Sequence, residues 1–268
     1  MHSEIHDLFD LTGRAALVTG GARHLGFDAA SILAAAGCHL AVTSRTLESA
    51  QRSAEAISTR YSVETLALQL DQTDFRDVAR VFAAVQAWKG HIDVLVNNAG
   101  GGSGNSIANL FERNPEDIDA LIRINLTGMI YCCREAGRIM APQRAGKIIN
   151  IASIAGLVGR DRRMYARSQM NGQPVDYAAA KAGVIGFTRD LAGFLSPMGV
   201  HVNSISPGGF ARQLSEQFVR DYSDASPLGR MGRDGVDLKG AILFLASPAS
   251  DYVTGHNLVV DGGFSIWK

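Results

Sequence analysis

No run of apolar residues in this 268-residue chain approaches the length of a membrane span. The best candidate, GAILFLA at 240–246, is short and is followed by polar residues. The opening MHSEIHDLFDLTGR lacks a basic start with an apolar core, so no signal peptide is expected. Cysteine is scarce: Cys38, Cys132 and Cys133 are odd in number and show no paired metal-ligand spacing. That excludes a disulfide framework, gives no reason to expect a metal, and fits reduced thiols in a cytoplasmic protein. Neither sign of charge is in excess, with 26 Lys+Arg against 26 Asp+Glu, so nothing points to nucleic acid. With 46% hydrophobic and 19% charged residues the composition is that of a packed domain rather than a disordered chain. No Pro/Ser-rich linker and no internal repeat divides the sequence, so 1–268 reads as one domain.

What is present is an alternation. AALVT (15–19), CHLAVTS (38–44), TLALQL (65–70), DVLVN (93–97), KIINIA (147–152), VHVNSI (200–205) and NLVV (257–260) are short apolar, β-branched runs. Between them lie helical patterns such as FDAASILAAAG (27–37) and TLESAQRSAEAISTRY (46–61). Strands alternating with helices imply parallel pairing through right-handed crossovers. Continuously apolar strands imply a sheet covered on both faces. The expected fold is α/β: a doubly wound, Rossmann-type domain of about seven parallel strands in the order 3-2-1-4-5-6-7, with helices on both faces. The rhythm lapses at 156–175 and at 208–230.

Ligands of such sheets bind at the carboxyl ends of the strands. The first strand ends in TGGARHLG (19–26), a glycine-rich turn into a helix. Such a turn offers backbone N–H groups and a helix N-terminus to a pyrophosphate. The spacing from Gly20 to Gly26 is not the G-x-G-x-x-G fingerprint, and a tight strand-to-helix turn would look similar. His24 stands where these loops usually carry another glycine. An ordinary backbone there would leave the N–H donors unaffected, whereas a positive φ would favour glycine. The imidazole then turns away from the pyrophosphate or donates to it. The second strand ends in Ser44 and Arg45, with no carboxylate before Glu48. An NAD enzyme usually places Asp or Glu there for the ribose 2′-OH. Arg45, with Arg23 in the loop, instead suits a 2′-phosphate, against the alternative of two ordinary surface arginines.

Tyr177 and Lys181 lie four residues apart in YAAAK, one turn apart on a helix. A cation beside a phenol lowers its pKa and makes it a usable general acid/base. Upstream, INIAS ends a strand at Ser153, VNNAG (96–100) ends another, and INLTG puts Asn125 in an apolar stretch. A buried Asn is hydrogen-bonded, as a core brace or in a water-held relay.

Together these pieces resemble the short-chain dehydrogenase/reductase family, in order and approximate spacing, from Gly13 to Gly263. NSISPGG (203–209) and YVTGHNLVVDGG (252–263) complete the match. The resemblance implies hydride transfer between a nicotinamide and a carbonyl or alcohol carbon. It implies Tyr177 as proton donor or acceptor, Lys181 lowering its pKa and holding ribose hydroxyls, and Ser153 polarising the substrate oxygen. Asn125 would hold a relay water. Gly20, Arg23, His24 and Leu25 would line the phosphates, Ser44 and Arg45 the 2′-phosphate. Asp71 and Gln72 would meet the adenine, Asn98 and Gly100 the adenosine ribose, and Pro207, Gly208 and Phe210 the nicotinamide. NADP(H) is therefore expected over NAD(H), in a homotetramer built through the helices after the fourth and fifth strands.

One departure stands out. Ser153 and Tyr177 are 24 residues apart, where members of the family place them much closer. The extra stretch carries Arg160, Arg162, Arg163, Arg167, Met164, Tyr165 and Met170. It reads as a cationic lid, with Arg163 and Tyr165 as substrate contacts, or as a solvated insertion or oligomer contact. The aromatics Phe210, Phe218 and Tyr222 of the following loop either pack a substrate or pack the loop down. The chain ends resemble gluconate 5-dehydrogenase-like polyol and sugar reductases, which favours a polyol, sugar or keto-sugar-acid substrate. A 3-oxoacyl-thioester reductase is the alternative with the same core. A non-catalytic NADP-binding regulatory protein is the alternative of another class, and the intact Asn/Ser/Tyr/Lys set speaks against it.

Overall fold

The computed structural model describes residues 2–101 and 108–267. A short helix α1 (Ser3–Phe9) precedes β1 (Ala15–Thr19), α2 (His24–Ala35), β2 (His39–Ser44), α3 (Leu47–Tyr61), β3 (Thr65–Gln69), α4 (Phe75–Lys89) and β4 (Val94–Asn97). There follow α5 (Pro115–Ile122), a π-helical turn (Arg123–Thr127), α6 (Gly128–Gln143) and β5 (Gly146–Ile151). After α7 (Arg163–Arg167) come α8 (Val175–Leu195), β6 (Val200–Pro207), β7 (Phe210–Ala211), α9 (Glu216–Asp224), β8 (Gly232–Arg233), α10 (Lys239–Ala246) and β9 (Asn257–Val260).

Seven strands form one parallel sheet in the order β3-β2-β1-β4-β5-β6-β9. The expected order holds, β9 being the seventh strand of this sheet. The two-residue strands β7 and β8 pair apart from it and were not foreseen. Side-chain alternation fills two cores. Ala16, Val18, Leu40, Val42, Val94, Val96 and Ile149 face the side covered by α2 and α10. Leu17, Ala41, Leu95 and Ile148 face α4, α6 and α8. Both faces are therefore dry, which is why these strands read as unbroken apolar runs.

A polar row crosses this core just below the site. Asn97 Nδ2 donates to Asn150 Oδ1 at 2.9 Å, and Asn150 Nδ2 donates to Thr188 Oγ1 at 3.0 Å. These bonds tie the ends of β4 and β5 to α8. All three cysteines are free and buried, and burial pushes the Cys132 thiol up to about 12. Among the described residues no helix is long and apolar enough to cross a membrane, and no His/Cys/Asp/Glu group is arranged to hold a metal.

Candidate active site

The carboxyl ends of β1, β4, β5 and β6 bring the expected residues to one edge of the sheet. The glycine loop is held from behind. Asn98 Nδ2 donates to Thr19 O at 3.1 Å and Gly20 O at 3.0 Å, while Thr19 Oγ1 accepts from the N–H groups of Asn98 and Ala99. The Asn98 amide is thus spent on bracing the loop. Helix α2 starts at His24, three residues before the sequence suggested, and its N-cap Arg23 makes no side-chain capping bond. The first-turn N–H groups are left pointing out of the helix start. His24 has φ +53, the left-handed region that glycine fills without strain. Its imidazole pKa is lowered by burial and then by Arg212, opposed by Asp234. Leu25 packs its side chain on the core, leaving only its backbone to the loop.

Arg23 and Arg45 are exposed, and among the described residues neither makes an ion pair. Glu48, the nearest carboxylate after β2, is held by Arg52. Ser44 closes β2, half-buried, and its carbonyl accepts from Leu70 N. Asp71 Oδ1 accepts from Thr73 N at 2.9 Å and Thr73 Oγ1 at 2.7 Å, shaping the turn after β3. Gln72 corrects the sequence reading. Its Nε2 donates to Ala99 O at 3.1 Å and Ile124 O at 2.7 Å, and its Oε1 is also buried. Its amide nitrogen braces the wall behind the site, while Oε1 is buried without a partner among the described residues.

Tyr177 and Lys181 lie on the buried side of α8, 7% and 4% exposed. Ser153 follows β5, its Oγ accepting from Ala155 N at 3.1 Å, and its side chain lies near enough to the Tyr177 phenol to favour the phenolate. A second correction concerns charge. Burial raises the Tyr177 pKa above the usual phenol value, with Ser153 and Arg160 pulling it part of the way back. Lys181 is not what governs it, because its Nζ donates to Ile151 O at 2.8 Å and stands 5.7 Å from the tyrosine ring centroid. Burial also lowers Lys181, to about 8. Asn125 sits in the π-helical turn. Its Oδ1 accepts from Gly101 N at 2.8 Å and its Nδ2 donates to Gly101 O at 3.2 Å and Leu121 O at 3.1 Å. Of the two roles open to it, the side chain fills the brace, fixing the strand-end glycines Gly100 and Gly101. Both have positive φ, and a Cβ on Gly100 would meet Asn125 Oδ1 at 2.7 Å.

A residue missed from sequence sets the spacing here. A Cβ on Gly156 would stand 2.6 Å from Ala182 N and from Lys181 C. Only glycine lets the 3₁₀ turn Ile154–Gly156 press against α8, and that contact fixes Ser153 beside Tyr177.

The insertion resolves the four arginines differently from the sequence reading. Arg163 is turned to solvent and paired with Asp161 at 2.7 Å, so it is not a substrate contact. Arg167 pairs with Asp221 of α9 at 2.8 Å, and Arg162 is exposed. Arg160 is the one that turns inward, donating to Gln173 Oε1 and Pro174 O, both at 2.9 Å, in a cleft it shares with Tyr165. Tyr165 packs on Phe218 with ring centroids 5.0 Å apart, and Tyr222 stacks on Phe264 at 4.3 Å. Phe218 and Tyr222 therefore pack the loop down, and the Tyr222 hydroxyl accepts from Gly209 N. Phe210, expected against both cofactor and substrate, is 9% exposed, packed into the core on the α2 side and roofed by Arg212. Its side chain is not free for either. Gly208 N donates to Val260 O, which fixes the end of β6 after Pro207.

A family model described as enoyl-(acyl carrier protein) reductase matches residues 20–265. The chain belongs to the short-chain dehydrogenase/reductase family. It is 34% identical over 258 residues to the 3-oxoacyl-(acyl-carrier-protein) reductase FabG of Aquifex aeolicus, covering 94% of this chain and 98% of that one. It is 34% identical over 266 residues to the NADP-dependent mannitol dehydrogenase of Hypocrea jecorina, with coverage of 97% and 95%. Among solved structures, a gluconate 5-dehydrogenase from Burkholderia cenocepacia in complex with NADP and tartrate superposes with a TM-score of 0.87. The two are 32% identical, with 98% of this chain and 99% of that one covered. As a member of the short-chain dehydrogenase/reductase family, the chain is an oxidoreductase built on a nicotinamide-binding fold.

Proposed function

We propose that this protein is an NADP(H)-dependent oxidoreductase acting on a carbonyl or secondary alcohol of a polyol, sugar or keto-sugar acid. The observation that carries the reading is Ser153 set beside the buried Tyr177 phenol, with Lys181 one helical turn along. The fit to the cofactor rests on donors. An uncapped α2 start suits a diphosphate, and two unpaired cations, Arg23 and Arg45, suit a 2′-phosphate. Asp71, Asn98, Gly100, Pro207 and Gly208 would form the remaining walls, and Lys181 would reach the nicotinamide ribose. When bound, the nicotinamide supplies or accepts the hydride.

The chain's own residues handle the proton. Tyr177, held protonated by burial, gives its proton to the carbonyl oxygen in reduction and takes it back in oxidation. The Ser153 hydroxyl donates to the same oxygen and fixes its position. Lys181, buried near its titration point, places a positive charge under the developing phenolate. The mannitol and gluconate enzymes among the relatives support a polyhydroxylated substrate. The similarity to FabG supports the second reading, a 3-oxoacyl-thioester reductase. A homotetramer through α6 and α8 belongs to the same proposal.

NADPH oxidation against a panel of sugars, keto acids and 3-oxoacyl thioesters tests it, with Tyr177→Phe as control. Turnover lost by at least a thousandfold in Tyr177→Phe supports the reading. A panel on which wild type never exceeds that variant overturns it. Arg45→Asp weakens NADPH at least thirtyfold more than NADH, and equal losses would remove the 2′-phosphate role.

A further inference from the structure

The insertion between Ser153 and Tyr177 places one guanidinium at the head of the catalytic helix. Arg160 is half-buried, and the two acceptors of its fork, Gln173 Oε1 and Pro174 O, are neutral. Pro174 is the N-cap of α8, three residues before Tyr177, so the fork is anchored one turn above the catalytic phenol. The Tyr165 phenol, which lines the same cleft, is neutral as well. Among the described residues no carboxylate pairs with Arg160, whereas its neighbours Arg163 and Arg167 are matched by Asp161 and Asp221. Arg160, Arg162, Tyr165, Met170 and Gln173 line one cleft of about 190 Å³.

A half-buried cation without a counter-charge is costly, and the cost is offset where an anion completes it. Five N–H donors in a plane, only part of them used, match a carboxylate better than any single-point anion. The neutral Ser/Tyr pair thus has a cation within electrostatic reach: Arg160 is anchored at the head of α8 and its charge acts on the Tyr177 phenol.

We propose that Arg160, steadied by the Gln173 side chain and the Pro174 carbonyl, is a specificity residue that binds the carboxylate of a hydroxy- or keto-acid substrate whose reacting carbon lies at Tyr177. This rests on the oxidoreductase reading above and narrows its substrate class. It also sets the insertion apart from a solvated loop, since only one of its four arginines is withheld from acidic partners and turned inward.

The experiment separates the two claims. Binding is measured by calorimetry on the NADPH-loaded full chain, with tartrate and with its dimethyl ester, which differ in charge. Turnover is measured with 5-keto-gluconate and with fructose, polyhydroxy ketones with and without a carboxylate. Tartrate is expected to bind at least thirtyfold tighter than the ester, and Arg160→Met to remove that preference. The acid-to-neutral ratio of kcat/KM should fall about a hundredfold in Arg160→Met, and recover in part in Arg160→Lys. Arg163→Met, already neutralised by Asp161, should leave the ratio within twofold. A ratio unchanged in a folded Arg160→Met, or equal binding of tartrate and ester to wild type, overturns the carboxylate site. If wild type reduces fructose but shows no acid preference, the oxidoreductase reading stands and only this inference falls. If no carbonyl compound turns over, the tartrate preference and its loss in Arg160→Met still decide the binding site.

Discussion

Arg113 and Asp176 form a desolvated ion pair at 2.8 Å, with side-chain exposures of 2% and 7%. Both Nε and Nη2 of Arg113 donate to the same Asp176 oxygen, and Nη2 also donates to Asp117 O. Asp176 immediately precedes Tyr177, so the pair pins the start of α8 to the chain leading into α5. Removing one partner strands a buried charge, at about 3–5 kcal/mol. Arg113→Met is expected to lower unfolding stability by that amount in denaturant titration. Arg113→Met with Asp176→Leu should recover most of it. If the double variant is no more stable than the single one, the loss came from packing and not from an unpaired carboxylate.

Gly156 makes a sharper claim about activity. The Cβ of Gly156→Ala would meet backbone atoms of α8 at 2.6 Å, so the turn carrying Ser153 must lift off the helix. A displacement on the order of 1 Å in a positioning element costs roughly a hundredfold in rate. kcat should fall by that order while the variant still binds NADPH. Wild-type kcat in Gly156→Ala would show that the turn has slack.

His24 carries backbone strain in the phosphate loop. A side chain at φ +53 costs about 1–2 kcal/mol relative to glycine. His24→Gly relieves it, less what a flexible residue loses on folding. The expected gain is about 1 kcal/mol in unfolding free energy from urea titration, with NADPH affinity unchanged or improved. Weaker NADPH binding in His24→Gly would instead assign the imidazole to a phosphate.

Lys181 gives a pH signature. In the folded chain it titrates at about 8, below its ordinary value of 10.5. Between those values the unfolded chain holds a proton that the native one has released, so raising the pH stabilises the native state. Wild-type stability, measured relative to Lys181→Met in the cofactor-free protein, should be flat below pH 8, rise to about pH 10.5 and level off. A difference independent of pH across that window would show that the ammonium is solvated rather than buried.

Much of this was visible in the chain. The central strands could be read because a sheet dry on both faces demands unbroken apolar runs such as AALVT and VLVN. The Ser153, Tyr177 and Lys181 set could be read because helical spacing and strand ends are local properties. Arg160 could not be singled out. Which of four neighbouring arginines turns inward depends on where Asp221 and Pro174 arrive in space, and neither is a local signal. The orientation of the Gln72 and Phe210 side chains could not be read for the same reason: each sits at a strand end facing the site in sequence, yet tertiary packing turns each side chain into the wall. The Tyr177 pKa went the other way because burial is a property of the whole fold.

The contacts between Tyr165 and Phe218, and between Arg167 and Asp221, join the two irregular segments of the chain. Tyr222 extends the join to the Gly209 backbone and the Phe264 ring. For protein engineering this makes 156–175 and 208–234 a single inheritable cassette. Transplanting either alone into a relative would leave aromatic faces and a carboxylate without their mates. Transplanted together, they would keep those contacts intact.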